Sequence, residues 1–185
     1  MEIKIKNVLV ALFEKDLADF LIPIFLQNSI KVFGTEGTVN YMSRQGFSHA
    51  TSVVTGFDFD GRVKTLSREN FVRVLADSSR QTHLDELKKE GLELFDAVII
   101  DLYEPDEDIF PESMDIGGQA MLRAAAKNYK NVALAYDKVT ISELISEMTA
   151  NSGSTTLEFR KAQAKKAAKF IAERTKLEAD LFEKV

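Results

Sequence analysis

The nine residues Phe95-Asp96-Ala97-Val98-Ile99-Ile100-Asp101-Leu102-Tyr103 constrain this chain more than any other stretch. They run almost without interruption through apolar side chains, where a strand with one wet face would alternate. A run of this length is too short to span a membrane and fits a strand covered on both faces by helices. Strands of that kind pair in parallel, and parallel neighbours need helical crossovers. The rest of the chain supplies the crossovers in alternation.

Residues 7–13 read as a buried strand, 16–27 as a helix in which Pro23 is a local misfit, and 30–33 as a second strand. Gly34 to Gly37 predicts a tight turn, 39–45 a short helix stopped by Gly46, and 49–54 a third strand that ends at Thr55-Gly56-Phe57. A glycine-containing loop, 58–65, precedes helices expected over 67–75 and 82–89, the second closed by Gly91. Beyond the central strand, an acidic, proline-bearing loop leads to a helix over 116–128, a strand over 131–136 and a helix capped by Thr140-x-x-Glu143. The tail from 155 to 182 opens with Thr155-x-x-Glu158 and reads as one long amphipathic helix or two shorter ones, its charge runs being a solvated face. The expected class is α/β, with three layers in which a mostly parallel sheet is flanked by helices. We expect one domain over 1–185 with a helical tail over 155–185.

Composition narrows the function. The 185 residues, 45% of them hydrophobic, suffice for one sizeable core and fall short of two full domains. There is no long apolar run and no signal-like N-terminus, so the expected location is cytoplasmic, with no membrane partner. The absence of cysteine excludes disulfides, thiolate zinc sites and thiol nucleophiles, and His49 and His83 cannot by themselves build a multi-histidine metal centre. Both histidines read as ordinary surface or rim residues. A net charge of -5 argues against a general affinity for nucleic acid, so an anionic ligand has to meet a local positive pocket.

In parallel sheets ligands sit at the carboxyl ends of the strands. The polar residues just beyond each expected strand are Glu14 and Lys15, Thr35 to Thr38, Arg62 to Thr65, Asp101 with Tyr103, and Asp115 to Gly118. Thr35-Glu36-Gly37-Thr38 offers hydroxyls, unhindered amides and a helix start suited to a phosphate; equally it reads as a turn with Thr38 as N-cap. Asp115-Ile116-Gly117-Gly118 reads as an N-cap and helix entry. Glycine at two early helix positions costs about 1 kcal/mol each relative to alanine, which favours a ligand close to those amides. Arg62, Lys64 and Thr65 form a surface loop or a substrate clamp, and Lys127 sits where a lysine would complement a helix C-terminus.

Several of these segments together resemble a known family. Thr55-Gly56-Phe57, Gly61-Arg62-Val63-Lys64-Thr65-Leu66, Leu102-Tyr103, Asp115-Ile116-Gly117-Gly118 and Leu122-Arg123-Ala124-Ala125-Ala126-Lys127-Asn128 stand in an order and spacing similar to the IMP cyclohydrolase half of the bifunctional AICAR transformylase/IMP cyclohydrolase family. The tail segment Leu157-Glu158-x-Arg160 resembles the family's helix after the sheet. The resemblance implies a methylglyoxal-synthase-like fold and closure of the purine ring of 5-formamidoimidazole-4-carboxamide ribotide with loss of water, without a metal or an organic cofactor. It implies Lys64, Tyr103, Asp115 and Lys127 as catalytic residues. Asp115 and Lys127 would move protons at the carboxamide, Lys64 and the Ile116 and Gly117 amides would stabilise an oxyanion, and Tyr103 would orient or share a proton. Lys15, Thr35, Gly37, Thr38, Arg62, Thr65, Asp101, Ile116, Gly117 and Gly118 are the implied substrate-binding residues. A homodimer is the expected assembly. The transformylase half has no counterpart here, so the expectation is a stand-alone cyclohydrolase; a separate transformylase polypeptide is a candidate partner that the sequence leaves open.

The departures from the pattern fall in the binding shell. Relatives carry Ser-x-Ser-Asp-Lys where Ala11-Leu12-Phe13-Glu14-Lys15 stands, and Ser-Thr-Gly-Gly-Thr where Gly34-Thr35-Glu36-Gly37-Thr38 stands. Their His-Pro and His-Gly-Gly are Ser67-Arg68 and Phe71-Val72-Arg73, their asparagine before Leu-Tyr is Asp101, and their Pro-Phe is Glu104-Pro105. The competing reading is a module of the same fold that binds a nucleotide or sugar phosphate without turnover. A methylglyoxal synthase fits less well, because the acidic and histidine residues of its glycine-rich loops have no counterpart here.

Overall fold

The computed structural model describes residues 2–54 and 59–184, so the expected Thr55-Gly56-Phe57 turn lies outside the described residues. In chain order the elements are β1 (Ile3–Lys4), β2 (Asn7–Ala11), α1 (Leu17–Gln27), β3 (Lys31–Gly34), α2 (Glu36–Arg44), β4 (Ala50–Ser52), α3 (Arg68–Leu75) and α4 (Gln81–Lys89). There follow β5 (Ala97–Ile100), a 3-10 turn over Glu107–Ile109, α5 (Ile116–Lys127), β6 (Ala133–Ala135), α6 (Lys138–Ala150), β7 (Ser154–Thr155) and α7 (Leu157–Phe182).

Five strands form one parallel sheet in the order β4-β3-β2-β5-β6. Alternation of side chains splits its core in two. Val8, Val10, Ala97, Ile99, Ala133 and Ala135 face α1, α2 and α6, whereas Leu9, Val98, Ile100 and Leu134 face α3, α5 and α7. This is the three-layer arrangement that the apolar run 95–103 implied. Pro23 is exposed within a continuous α1, so the carbonyl that loses its donor faces water.

The structure moves several expected boundaries. The 34–37 segment is not a free turn: α2 begins at Glu36 with Thr35 as its N-cap residue, while Thr38 is fully buried inside the first turn. The capping box of α6 starts at Asp137, whose carboxylate accepts from the Thr140 amide at 2.7 Å while the Thr140 hydroxyl accepts from the Asp137 amide at 3.0 Å. Thr140 is therefore the third helical residue and not the cap. Thr156, one residue later than expected, caps α7 by accepting from the Phe159 amide at 3.2 Å. Thr155 belongs instead to β7, which pairs antiparallel with β1 in a two-stranded ribbon that the sequence reading did not foresee.

The tail is one continuous helix, and its polar residues are not all solvated. Arg160, Gln163, Arg174 and Glu178 are buried with Ala167 and Ile171 against the sheet layer. Arg160 donates to the carbonyls of Tyr129, Thr155 and Lys130 at 3.0, 2.5 and 3.1 Å, tying the helix to the chain on either side of β6 and α6. The far end of α7 reaches the loop beyond β5, where Phe182 packs edge-on against Phe110 at 4.6 Å and Lys184 pairs with Glu107 at 3.0 Å. Arg73 is likewise structural, its guanidinium lying 4.0 and 3.8 Å from the centres of the Phe33 and Phe95 rings. No helix among the described residues is long and apolar enough to cross a membrane.

Candidate active site at the sheet switch point

The chain builds the sheet from β2 outward through β3 and β4, then returns to place β5 and β6 on the other side of β2. The strand order therefore reverses between β2 and β5, and the loops that leave their carboxyl ends diverge and open a crevice. A pocket of about 430 Å³ occupies it. Its walls are the 11–15 segment after β2, Thr35 after β3, the 60–65 segment, Asp101 and Tyr103 after β5, and the first turn of α5.

Of the residues expected to act, Lys64, Tyr103 and Asp115 meet in this pocket with Lys15, Thr35, Arg62, Thr65, Asp101, Ile116, Gly117 and Gly118. Lys64 is exposed to the cavity and makes no ion pair among the described residues. The Tyr103 hydroxyl donates to the Met114 carbonyl at 3.4 Å, and burial together with the charges of Asp115 and Glu178 pushes its pKa up. Asp115 caps α5, accepting from the Gly118 amide at 2.7 Å. Burial raises the Asp115 carboxyl above the ordinary range; the Gly118 amide and Arg174 oppose this, and Asp101 and Glu178 reinforce it.

The glycines of α5 have separate reasons. A methyl at Gly118 would lie 2.4 Å from Leu102 Cδ2 and 2.6 Å from the Asp115 carboxylate, so glycine there serves packing and not a ligand. A methyl at Gly117 would lie 2.9 Å from the hydroxyl of buried Thr65, which is how the 60–65 segment comes to rest against the helix start. The amides of Ile116 and Gly117, among the first of the helix, have no hydrogen-bond partner among the described residues and border the pocket.

Five expectations change. Lys127 is exposed at the other end of α5, eleven residues beyond Ile116, and lines a different groove with Phe71, Leu75, Arg123 and Ile171. One helix of this length cannot bring both its ends to one cavity. Asp101 spends its carboxylate on the protein: it accepts from the Phe13 amide and, at 2.8 Å, from the Glu14 amide, and burial raises its pKa against those bonds and the pull of Lys15. The Thr38 hydroxyl accepts from the Leu12 amide at 3.0 Å and sits 3.1 Å from that of Thr35, so it ties α2 to the loop after β2 and does not reach the cavity. Lys15 turns its ammonium toward the Leu12 carbonyl and, at 3.3 Å, the Phe13 carbonyl. Burial lowers its pKa, with Lys64 adding to the shift and Asp101 opposing it. Gly37 is absent from the lining; a methyl there would stand 3.3 Å from Lys15 Cε.

The lining also contains residues that the sequence reading passed over. Phe13, read as the end of a buried strand, is 63% exposed and packs its ring 5.5 Å from that of Tyr103. Glu112 pairs with Arg62 at 2.7 Å across an exposed edge. The signal for Phe13 was its position two residues beyond the strand, where the ladder has ended and side chains meet the crevice.

No family model matches the chain. PurH of Rhizobium rhizogenes, a bifunctional purine biosynthesis protein, is 34% identical over 178 residues, which is 90% of this chain and 33% of that protein. PurH of Chlorobium phaeobacteroides is 35% identical over 176 residues, 88% of this chain and 33% of that protein. This chain is a homologue of part of PurH. It spans about a third of the length of the PurH proteins it matches. Among solved structures, the crystal structure of ForH superposes with a TM-score of 0.79 at 27% identity, covering 96% of this chain and 99% of ForH. The α/β fold is thus the methylglyoxal-synthase-like one, and the pocket belongs to a PurH homologue.

Proposed function

We propose that this PurH homologue is an IMP cyclohydrolase, closing the six-membered ring of 5-formamidoimidazole-4-carboxamide ribotide with loss of water. The observation that carries the reading is the convergence of Lys64, Tyr103 and Asp115, from three separate segments, on one pocket at the switch point. Its volume of about 430 Å³ suits a mononucleotide.

The chemistry sets the requirements. The carboxamide nitrogen, a weak nucleophile, forms a bond to the formyl carbon. The formyl oxygen takes up the electron pair of its double bond and a proton, and the attacking nitrogen gives up one of its two; the resulting hydroxyl leaves as water once protonated, while the former formamide nitrogen forms the ring's carbon–nitrogen double bond and loses its proton. Holding the two groups in contact supplies much of the rate. Asp115, with its carboxyl raised by burial, is suited to take the nitrogen's proton. Lys64 and the Ile116 and Gly117 amides offer positive charge and donors to the oxyanion. Tyr103, its hydroxyl held neutral at physiological pH, is the donor for departing water.

The test is an absorbance assay of ring closure. Lys64→Ala is expected to lower turnover by about 10²-fold or more, the scale of losing an oxyanion donor. Lys127→Ala, exposed and outside the pocket, is expected to stay within about twofold of the unsubstituted protein. A folded protein that binds a nucleotide but never turns over the ribotide would favour the second reading, a binding module. One observation leans that way: the donors of the loop after β2 are already occupied within the protein.

A further inference from the structure

The last turns of α7 carry two charged residues that the pocket itself does not use. Arg174 and Glu178 stand four residues apart on one face of the helix, both buried, and neither lines the cavity. Charged side chains leave water at a cost that partners have to offset. For Arg174 the offset is incomplete: its guanidinium lies 5.5 Å from the centre of the Phe170 ring, and its Nη1 has no hydrogen-bond partner among the described residues.

Glu178 is fixed toward the site. Its carboxylate accepts from the side-chain amide of Gln119 at 2.5 Å, and Gln119 lies one turn of α5 beyond Asp115. Buried Leu181, the contact of Phe182 with Phe110 and the pair of Lys184 with Glu107 hold the end of α7 against the chain that joins Tyr103 to Asp115.

The two charges bear with opposite sign on the residues assigned to proton transfer. Burial is the main cause of the raised Asp115 carboxyl and Tyr103 hydroxyl; Glu178 adds to both, and Arg174 opposes the first. Asp101, at the end of β5, reinforces the shift of Asp115, and the Gly118 amide of α5 counters it. Lys15, Asp60, Arg62, Lys64 and Glu112 are the other charged residues that line the cavity with Asp115 among the described residues. A field from behind the wall crosses protein and not water, so salt screens it little.

We propose that Glu178 and Arg174 are positioning residues of the site: an opposed pair of charges on α7 that acts on Asp115 and Tyr103 from behind the pocket wall and balances the proton transfers assigned to them. The inference rests on the reading of the pocket as a cyclohydrolase site and adds what governs its acid and base. Neither residue touches the substrate in this scheme.

Glu178→Gln removes one charge and keeps an oxygen for Gln119; Arg174→Met removes the other, and Arg174→Lys retains it. The Asp115 carboxyl is followed through pH by NMR of its side-chain carbonyl carbon, a signal identified by its loss in Asp115→Asn. Its titration is expected to move to lower pH in Glu178→Gln, to higher pH in Arg174→Met, and back toward that of the unsubstituted protein in Arg174→Lys. The acid limb of kcat against pH is expected to follow in both directions, with kcat on the plateau changed by less than about tenfold. Loss of packing alone has no reason to move the two variants in opposite senses. Titrations that stay in place, or that move the same way in both folded variants, would overturn the proposal; if Arg174→Met does not fold, an unmoved titration in Glu178→Gln is enough to do so. Titrations that move apart while the acid limb of an active enzyme stays fixed would overturn the role in ring closure. Titrations that move apart in a protein that closes no ring support the arrangement of charges and overturn the cyclohydrolase reading.

Discussion

The carboxylate of Asp101, at the end of β5, accepts the backbone amide of Glu14, beyond the end of β2, at 2.8 Å, and its other oxygen accepts the amide of Phe13. Two loops that diverge at the switch point are thereby clamped by one side chain. Asp101→Ala leaves two amides without an acceptor and should cost about 1–3 kcal/mol; Asp101→Asn, which keeps one carbonyl oxygen, should cost less. Urea unfolding of the three proteins checks the order. Equal stability of the alanine variant and the unsubstituted protein would show that water serves the amides as well.

Asp115 makes stability depend on pH with a definite sign. Burial raises its folded pKa above the unfolded value, so the folded state holds the proton more tightly. Its contribution is complete below the unfolded pKa of about 4 and is lost as pH rises through the folded value. Asp115→Asn keeps a good N-cap residue and removes the titration. Urea midpoints measured from about pH 4 upward should therefore show the unsubstituted protein losing ground to the variant as pH rises. Parallel pH curves would dispose of the shift.

Gly118, in the site, and Gly37, outside its lining, should respond differently to one methyl. At Gly118 the new carbon meets Leu102 at 2.4 Å and the Asp115 carboxylate at 2.6 Å, so Gly118→Ala should cost about 1–3 kcal/mol and displace the cap. At Gly37 the nearest atom is the mobile Lys15 Cε at 3.3 Å, and the gain in helix propensity, up to about 1 kcal/mol, offsets a small shift. Thermal unfolding should rank Gly37→Ala well above Gly118→Ala. The reverse order would mean that Leu102 yields more easily than Lys15.

Arg160 holds α7 in place through its guanidinium. Fully buried, it serves the carbonyls of Tyr129, Thr155 and Lys130. Arg160→Met has a similar length but no donors, and should destabilise by about 2–4 kcal/mol, because buried acceptors lose their partners. Arg160→Lys should recover little of this, since a single ammonium cannot match a planar fork that reaches three carbonyls. Chemical denaturation decides; full rescue by lysine would argue for charge alone.

The alternating order of strands and helices was legible because burial imposes it locally. The run at 95–103 read as a strand covered on both faces, and Thr55-Gly56-Phe57, Gly61–Leu66, Leu102-Tyr103, Asp115–Gly118 and Leu122–Asn128 together carried the resemblance to a PurH part. Boundaries and partners were settled in three dimensions. Thr38 read as a cap and became an internal tie because the Leu12 amide it accepts from lies on a segment that the sheet brings beside it, and Thr140 read as a cap and became the third helical residue because the Asp137 carboxylate three residues earlier takes that place. Arg160, Arg174 and Glu178 looked like a solvated charge run until α5 and β6 covered one side of α7, and Lys127 looked catalytic until the length of α5 carried it away from Asp115. Sequence fixes what each segment prefers to bury, since that depends on side-chain chemistry and period. Which donor meets which acceptor across a crevice depends on where the crossovers return the chain, and only the folded sheet determined that Asp101 would take the amides of the loop after β2 and leave Phe13 facing the cavity.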